Sequence, residues 1–138
     1  MFSLQKIGHN LSIFGQAFSS ALDEAWGWVF IRSLLIVALI VNILDWAGAT
    51  LLYRALGDNL TVLHYNVNFG IDLIGPRRQV FINPLLGLIF LILNFSLVLF
   101  LAKNKHFRFS AHVLLNTAVV VNILLLLAIF SVYLINFR

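Results

Sequence analysis

A chain of 138 residues that is 62% hydrophobic and only 10% charged lacks the polar groups needed to coat a water-facing surface, because a soluble domain carries roughly 25% charged residues. The length allows a single domain, and the lack of cysteine excludes a disulfide framework, thiolate-bound metal and thiol catalysis. The net charge of +4 comes from scattered Lys and Arg; without a basic stripe interleaved with aromatics these read as topology signals and lipid-headgroup contacts, not as a nucleic-acid surface.

In residues 1–26 the apolar side chains are spaced, not continuous, and no small-residue cleavage site follows an apolar run, so the segment is not a signal peptide. Ile7, Leu11, Phe14, Phe18 and Leu22 recur at intervals of three and four, while Asn10, Ser12, Gln16, Ser19 and Asp23 take other faces. This spacing predicts an amphipathic helix, lying in a membrane interface or packed on a partner protein. Trp26 and Trp28 mark headgroup level, and Arg32 can snorkel outward.

Three membrane spans are predicted: residues 33–53, 79–102 and 111–137. Each meets the roughly 20 residues that cross about 30 Å of hydrocarbon. Gly75 and Pro76 make a break before the second span. Pro84 then either kinks a helix that began near Pro76 or starts the span, since proline fits a first helical turn. A basic connector, residues 103–110, is short enough to make the second and third spans antiparallel neighbours. Its cluster of Lys103, Lys105 and Arg108 tips the orientation: N-terminus and connector in the cytoplasm, residues 54–78 outside.

Between the first two spans the apolar run gives way to a period-two pattern. Leu63, Tyr65, Val67 and Phe69 alternate with His64, Asn66, Asn68 and Gly70, as in a half-buried strand. Its apolar face would lie on membrane or helix tops, Gly70 would end it, and residues 58–62 could begin a hairpin. His64, Asn66 and Asp72 are loop ligand-binding candidates; the alternative is that His64 and the Asn residues tie the loop to the helix ends. One His and one Asp are too few for a metal site.

The segment resembles the extracytoplasmic loop of small bacterial membrane proteins related to the SdpI-like immunity proteins. Their N-terminal domain of unknown function carries His–aromatic–Asn, then Gly, then Asp, between its first two membrane helices. Here those positions are His64, Tyr65, Asn66, Gly70 and Asp72, followed by a span with Pro84 near its start. The resemblance implies an outward-facing loop, a bacterial cytoplasmic membrane and no catalytic mechanism.

Every span carries asparagine: Asn42 in the first, Asn83 and Asn94 in the second, Asn116 and Asn122 in the third. Ala38, Asn42, Asp45 and Ala49 share one helical face, as do Asn83, Gly87 and Asn94. Such stripes let helices approach closely and hydrogen-bond, or line a substrate pathway. Asp45 is the sharpest residue, because an intramembrane acid is a functional candidate by default. It is expected either to carry its proton or to bond Asn122, as a proton or cation site or as a helix-pairing contact. One acid in a three-helix monomer encloses no pathway, so conduction would need oligomers.

The expectation is an all-α integral membrane protein: three transmembrane helices, an N-terminal amphipathic interfacial helix and a short strand-like outward loop. Without a nucleophile–base constellation or a phosphate-binding glycine loop, the reading is non-enzymatic, with no cofactor and no metal. Its partners are the bilayer and a membrane-protein partner or further copies of the chain. Assembly as a subunit or scaffold leads, ahead of an oligomeric transporter using Asp45 and a sensor or immunity-type binder using residues 63–72.

Overall fold

The computed structural model describes residues 4–57, 60–66, 68 and 70–137, with the side chains of residues 4–8, 10, 65, 66 and 72 outside the description. Its elements run α1 (Leu4–Gly27), α2 (Val29–Ala55), β1 (Thr61–Asn66), β2 (Gly70–Gly75), α3 (Ile82–Phe100) and α4 (Phe107–Phe137). A 3-10 segment, Arg77–Phe81, leads into α3. Three helical stretches, Val29–Ala55, Arg77–Phe100 and Phe107–Phe137, are long and apolar enough to cross a membrane.

The boundaries depart from the expected ones for local reasons. The α1–α2 break is one residue, Trp28, extended at φ −94° and ψ 116°. It follows Gly27, a poor helix former, so α2 starts at Val29 rather than at residue 33. Pro84 is the third residue of α3. The α-helix does not begin near Pro76 and kink; it begins two residues before Pro84, which lies in its first turn. First-turn N–H groups have no intrahelical acceptor, so the missing one is tolerated there. The connector tightens to residues 101–106 because α4 already starts at Phe107. Asn104 closes that turn: its side-chain oxygen accepts the His106 N–H at 3.0 Å and its carbonyl accepts the Phe107 N–H at 3.0 Å.

Less than a third of each apolar stretch is buried by the protein itself. Ile43, Leu51, Leu93, Leu124 and Leu127 all point outward. An exposed apolar belt of this extent marks a surface for contact with a membrane or another protein. Polar side chains on the belt bond their own helix: Ser96 to Ile92 O, Asn116 to His112 O and Thr117 to Val113 O, each at 2.8 Å. Internal satisfaction of this kind is what an apolar surrounding demands.

Two apolar clusters fill the interior. One joins Ile31, Leu35 and Ala38 of α2 to Leu91 and Val98 of α3 and Ala111, Leu115 and Ala118 of α4. The other joins Ala49, Leu52 and Leu56 to Val80, Ile129 and Val132. α2 and α4 run from the first cluster to the second and α3 runs back, so α3 is antiparallel to both. Helix α1 enters the first cluster only through Ala21 and Ala25. Its stripe Leu11, Phe14 and Phe18 is exposed, with the two phenyl rings stacked 6.5 Å apart.

The patterned segment is an antiparallel hairpin at the second-cluster end. It begins at Thr61, within the stretch expected to open a hairpin, and the partner strand is Gly70–Gly75. Gly70 does not end the strand pair but opens β2, at φ +79°, a left-handed conformation that favours glycine. β1 stops at Asn66, so the alternation proposed through Phe69 is not one strand; Val67 and Phe69 lie outside the described residues. Within β1 the facing holds: Thr61 is buried and Leu63 packs on the second cluster, while His64 is exposed. Register shifts flank His64, opposite Leu73.

One side chain pins the hairpin to α4. The Asn136 amide accepts the Val62 N–H at 3.1 Å and donates to the Val62 carbonyl at 2.8 Å, as a neighbouring strand would. Asn136→Ala removes both bonds from a partly buried site. It is expected to cost about 1–3 kcal/mol, confined to hairpin docking. Hydrogen exchange should speed up at Val62 and its strand neighbours and stay slow in α2 and α4; uniform acceleration would mean the hairpin is not a separate unit.

Candidate functional site

Between the two apolar clusters lies a polar layer built from α2, α3 and α4. The face Ala38–Asn42–Asp45–Ala49 of α2 points inward, and all four residues are buried. Asn122 of α4 is fully buried at the same depth. The Asn42 Nδ2 donates to Asn122 Oδ1 at 2.9 Å and to the Pro84 carbonyl at 3.0 Å. Asn122 Nδ2 in turn donates to the Ala118 carbonyl at 2.8 Å and to the Gly87 carbonyl at 3.3 Å. Two amides therefore stitch all three helices together, and each –NH2 has two acceptors.

Gly87 makes the layer possible. A Cβ there would come within 2.8 Å of Asn42 Nδ2 and collide with Asn122 Oδ1. The side chain is left out where the amides need the space. Of the α3 stripe read from the sequence, Gly87 and Asn94 are buried and Asn83 is half-buried. Asn94 does not join the layer. It bonds its own helix, Nδ2 to Phe90 O at 2.8 Å, among the residues of the first cluster.

Of the two expectations for Asp45, the structure bears on the bond to Asn122. Asp45 is fully buried, yet neither carboxyl oxygen has a hydrogen-bond partner among the described residues. The expected bond to Asn122 is not made, because both Asn122 N–H groups are committed to carbonyls and its oxygen to Asn42. Asp45 lies one turn further along α2, toward the apolar second cluster. Gly48 beside it meets only the aliphatic carbons of Ile129 and Leu126.

The loop candidates are brought onto one hairpin. His64 is exposed on β1, and Asn66 pairs with Gly70 through the backbone. The side chains of Asn66 and Asp72 lie outside the described residues, so their convergence with His64 is not part of the geometry. Among the described residues no three His, Asp or Glu side chains converge as metal ligands.

A second feature escaped the sequence reading. At the opposite end, the guanidinium of Arg108 sits 3.7 Å over the Trp28 ring, and the Trp28 indole N–H donates to Glu24 Oε1 at 3.2 Å. This knot of α1, α2 and α4 borders a cleft of about 850 Å³ whose walls include Lys103, Lys105 and His106. The cations were visible in sequence; nothing there placed the C-terminal end of α1 against them.

No family model matches the chain, and no curated protein or solved structure matches it either.

Two substitutions test the layer. Gly87→Ala is expected to destabilise the protein by about 1–3 kcal/mol through overpacking, and by less in an Asn42→Ala background, where the amide it strikes is gone. Equal costs in both backgrounds, read by denaturation in mixed micelles, would remove the layer as the cause. Asp45→Leu, by contrast, is expected to stabilise the fold by about 1–3 kcal/mol, because it replaces an unpartnered polar group with an apolar one of similar shape. A loss of stability in the same assay would mean that the carboxyl group has a partner in the folded protein.

Proposed function

We propose that the chain is a non-enzymatic integral membrane protein that acts by assembly, as a subunit or scaffold of a membrane complex. In this reading the bilayer covers the apolar belt, and α1 rests in the interface with Leu11, Phe14 and Phe18 in the lipid. The N-terminus and the basic turn face the cytoplasm of a bacterial membrane, and the hairpin faces outward.

One observation carries the assembly reading. The hairpin end presents Leu60, Ile71, Leu73 and Ile74, each more than half exposed, on a device held by Asn136 and packed through Leu63. β1 is covered on its outer side by α4 through Asn136, while β2 pairs with no further strand among the described residues. An open strand edge with apolar side chains is a surface for strand addition or apolar docking.

Asp45 favours a second reading, an oligomeric transporter or channel. A buried acid without a partner costs stability, and its retention is economical if a proton or cation visits it. Against that reading, the amides of the polar layer are bonded within the bundle. The immunity-type or sensor role implied by the resemblance would use the same hairpin, with His64, Asn66 and Asp72 as its polar contacts.

The chain has no cysteine, so a single engineered thiol reports one position. Ile74→Cys in native membranes, treated with a short crosslinker, should join the hairpin to a different membrane protein. Ile123→Cys, on the exposed belt of α4, should not. The mass in nanodiscs should correspond to a monomer or a stoichiometric complex. A discrete homo-oligomer whose pH-dependent ion flux is lost in Asp45→Asn would replace the assembly reading with transport.

A further inference from the structure

The basic cleft at the turn end lies beside an apolar groove. The groove, about 350 Å³, runs between α1 and α3 and is lined by Phe14, Phe18, Leu99 and Phe100. Lys103 lines both spaces. Both volumes fall in the roughly 300–1,000 Å³ range of small-molecule sites. Their chemistry is split. The cleft offers Lys103, Lys105, His106 and Arg108 against a single acid, Glu24, and the Glu24 carboxylate already accepts the Trp28 N–H. The groove offers phenyl rings and Leu99.

We infer that the cleft and groove form one binding site for an anionic phospholipid, with its phosphate among Lys103, Lys105 and Arg108 and an acyl chain between α1 and α3. Charge complementarity and the shared Lys103 commit the site to this occupant. A lysine with its stem along an apolar wall and its ammonium at the polar edge suits the headgroup–chain boundary. The Arg108 guanidinium is held 3.7 Å over the Trp28 ring at the edge of the cleft, which fixes in place a group whose several donors suit a phosphate. Among the described residues helix α1 places two small side chains, Ala21 and Ala25, in the first cluster, while Phe14 and Phe18 stay exposed where a lipid chain can cover them. The inference needs only a bilayer and does not depend on the assembly reading: a chain that joins no complex would still bind the lipid.

Native mass spectrometry of the full chain in detergent tests it, with phosphatidylglycerol and phosphatidylcholine of identical chains as probes. The expected result is at least about tenfold preference for phosphatidylglycerol, given that each surface cation contributes on the order of 1 kcal/mol toward anionic lipid. Lys103→Gln with Lys105→Gln should remove the preference. Both lysines are exposed, so helicity by circular dichroism should be unchanged. Arg54→Gln with Arg78→Gln, at the hairpin end, should keep the preference. Ala17→Trp, which fills the groove, should weaken binding of both lipids. Equal binding of the two lipids, or a preference that survives the double lysine variant, would overturn the site. Displacement of the lipid by inorganic phosphate alone at low millimolar concentration would assign the cleft to a soluble phosphate compound instead. A doubled mass without lipid would assign the groove to a second copy.

Discussion

The bond between Asn42 and Asn122, made over the bare backbone of Gly87, sets the geometry on which the rest of the bundle depends. Helices with apolar surroundings gain little from burying apolar faces against one another, so directional bonds and close backbone approach must select the register. Here both kinds of constraint act at one level. The amides fix the rotation and depth of α2 and α4, and the carbonyls of Pro84 and Gly87 fix α3 against them. Ala38, Ala49, Ala111 and Ala118, all fully buried, keep the helices close on either side. The register then propagates along a rigid rod: Asn136 lies about 20 Å beyond Asn122 on α4 at 1.5 Å per residue, and the hairpin is held where that rod ends.

The same physics explains why Asp45 stands apart. In a helix interior the main-chain N–H groups are already used, so a neighbouring helix or the preceding turn offers carbonyls, which are acceptors. Side chains that can donate satisfy themselves: Asn94, Ser96, Asn116 and Thr117 each reach back four residues. An ionised carboxylate has only acceptors, and neither Asp45 oxygen has a partner among the described residues. The layer could have supplied a donor from Asn122, but that amide is aimed at carbonyls on two helices. Asp45 is thus a polar group that the architecture does not use, which is the physical content of its candidacy for function.

Much of this was legible in the sequence. The inward face of α2 followed from the spacing of Ala38, Asn42, Asp45 and Ala49, and the antiparallel relation of α3 and α4 from a short connector. What failed was partner choice. Helical spacing says which residues share a face, not which opposing amide meets which, and so Asn122 was offered as a candidate partner of Asp45 when Asn42 holds it. The strand pattern was read correctly at Leu63 and His64. It was overextended past Asn66, where β1 stops, because Val67 and Phe69 keep the alternation in the sequence. Gly70 was taken as an ending, and only the left-handed backbone there makes it the start of β2. The contact of α1 with the basic turn left no periodic signal, since its anchor is two alanines.

The two ends of the bundle carry similar numbers of cations but hold them differently, and this matters more than the count. At the hairpin end Arg77 donates to the Leu56 carbonyl at 3.2 Å and stacks over Tyr53 at 4.5 Å, so it ties the loop to the end of α2. At the turn end Lys103 and Lys105 are exposed, and Arg108 presents its donors beside Trp28. A cation bound to a backbone carbonyl contributes to local order; an exposed one remains available to a phosphate or to the negative surface of a cytoplasmic leaflet. Arg54 and Arg78 at the hairpin end are exposed as well, so the ends differ not in having exposed cations but in how these are gathered: the turn end collects Lys103, Lys105 and Arg108 around one cleft, while the hairpin end uses one of its arginines to tie the loop to α2.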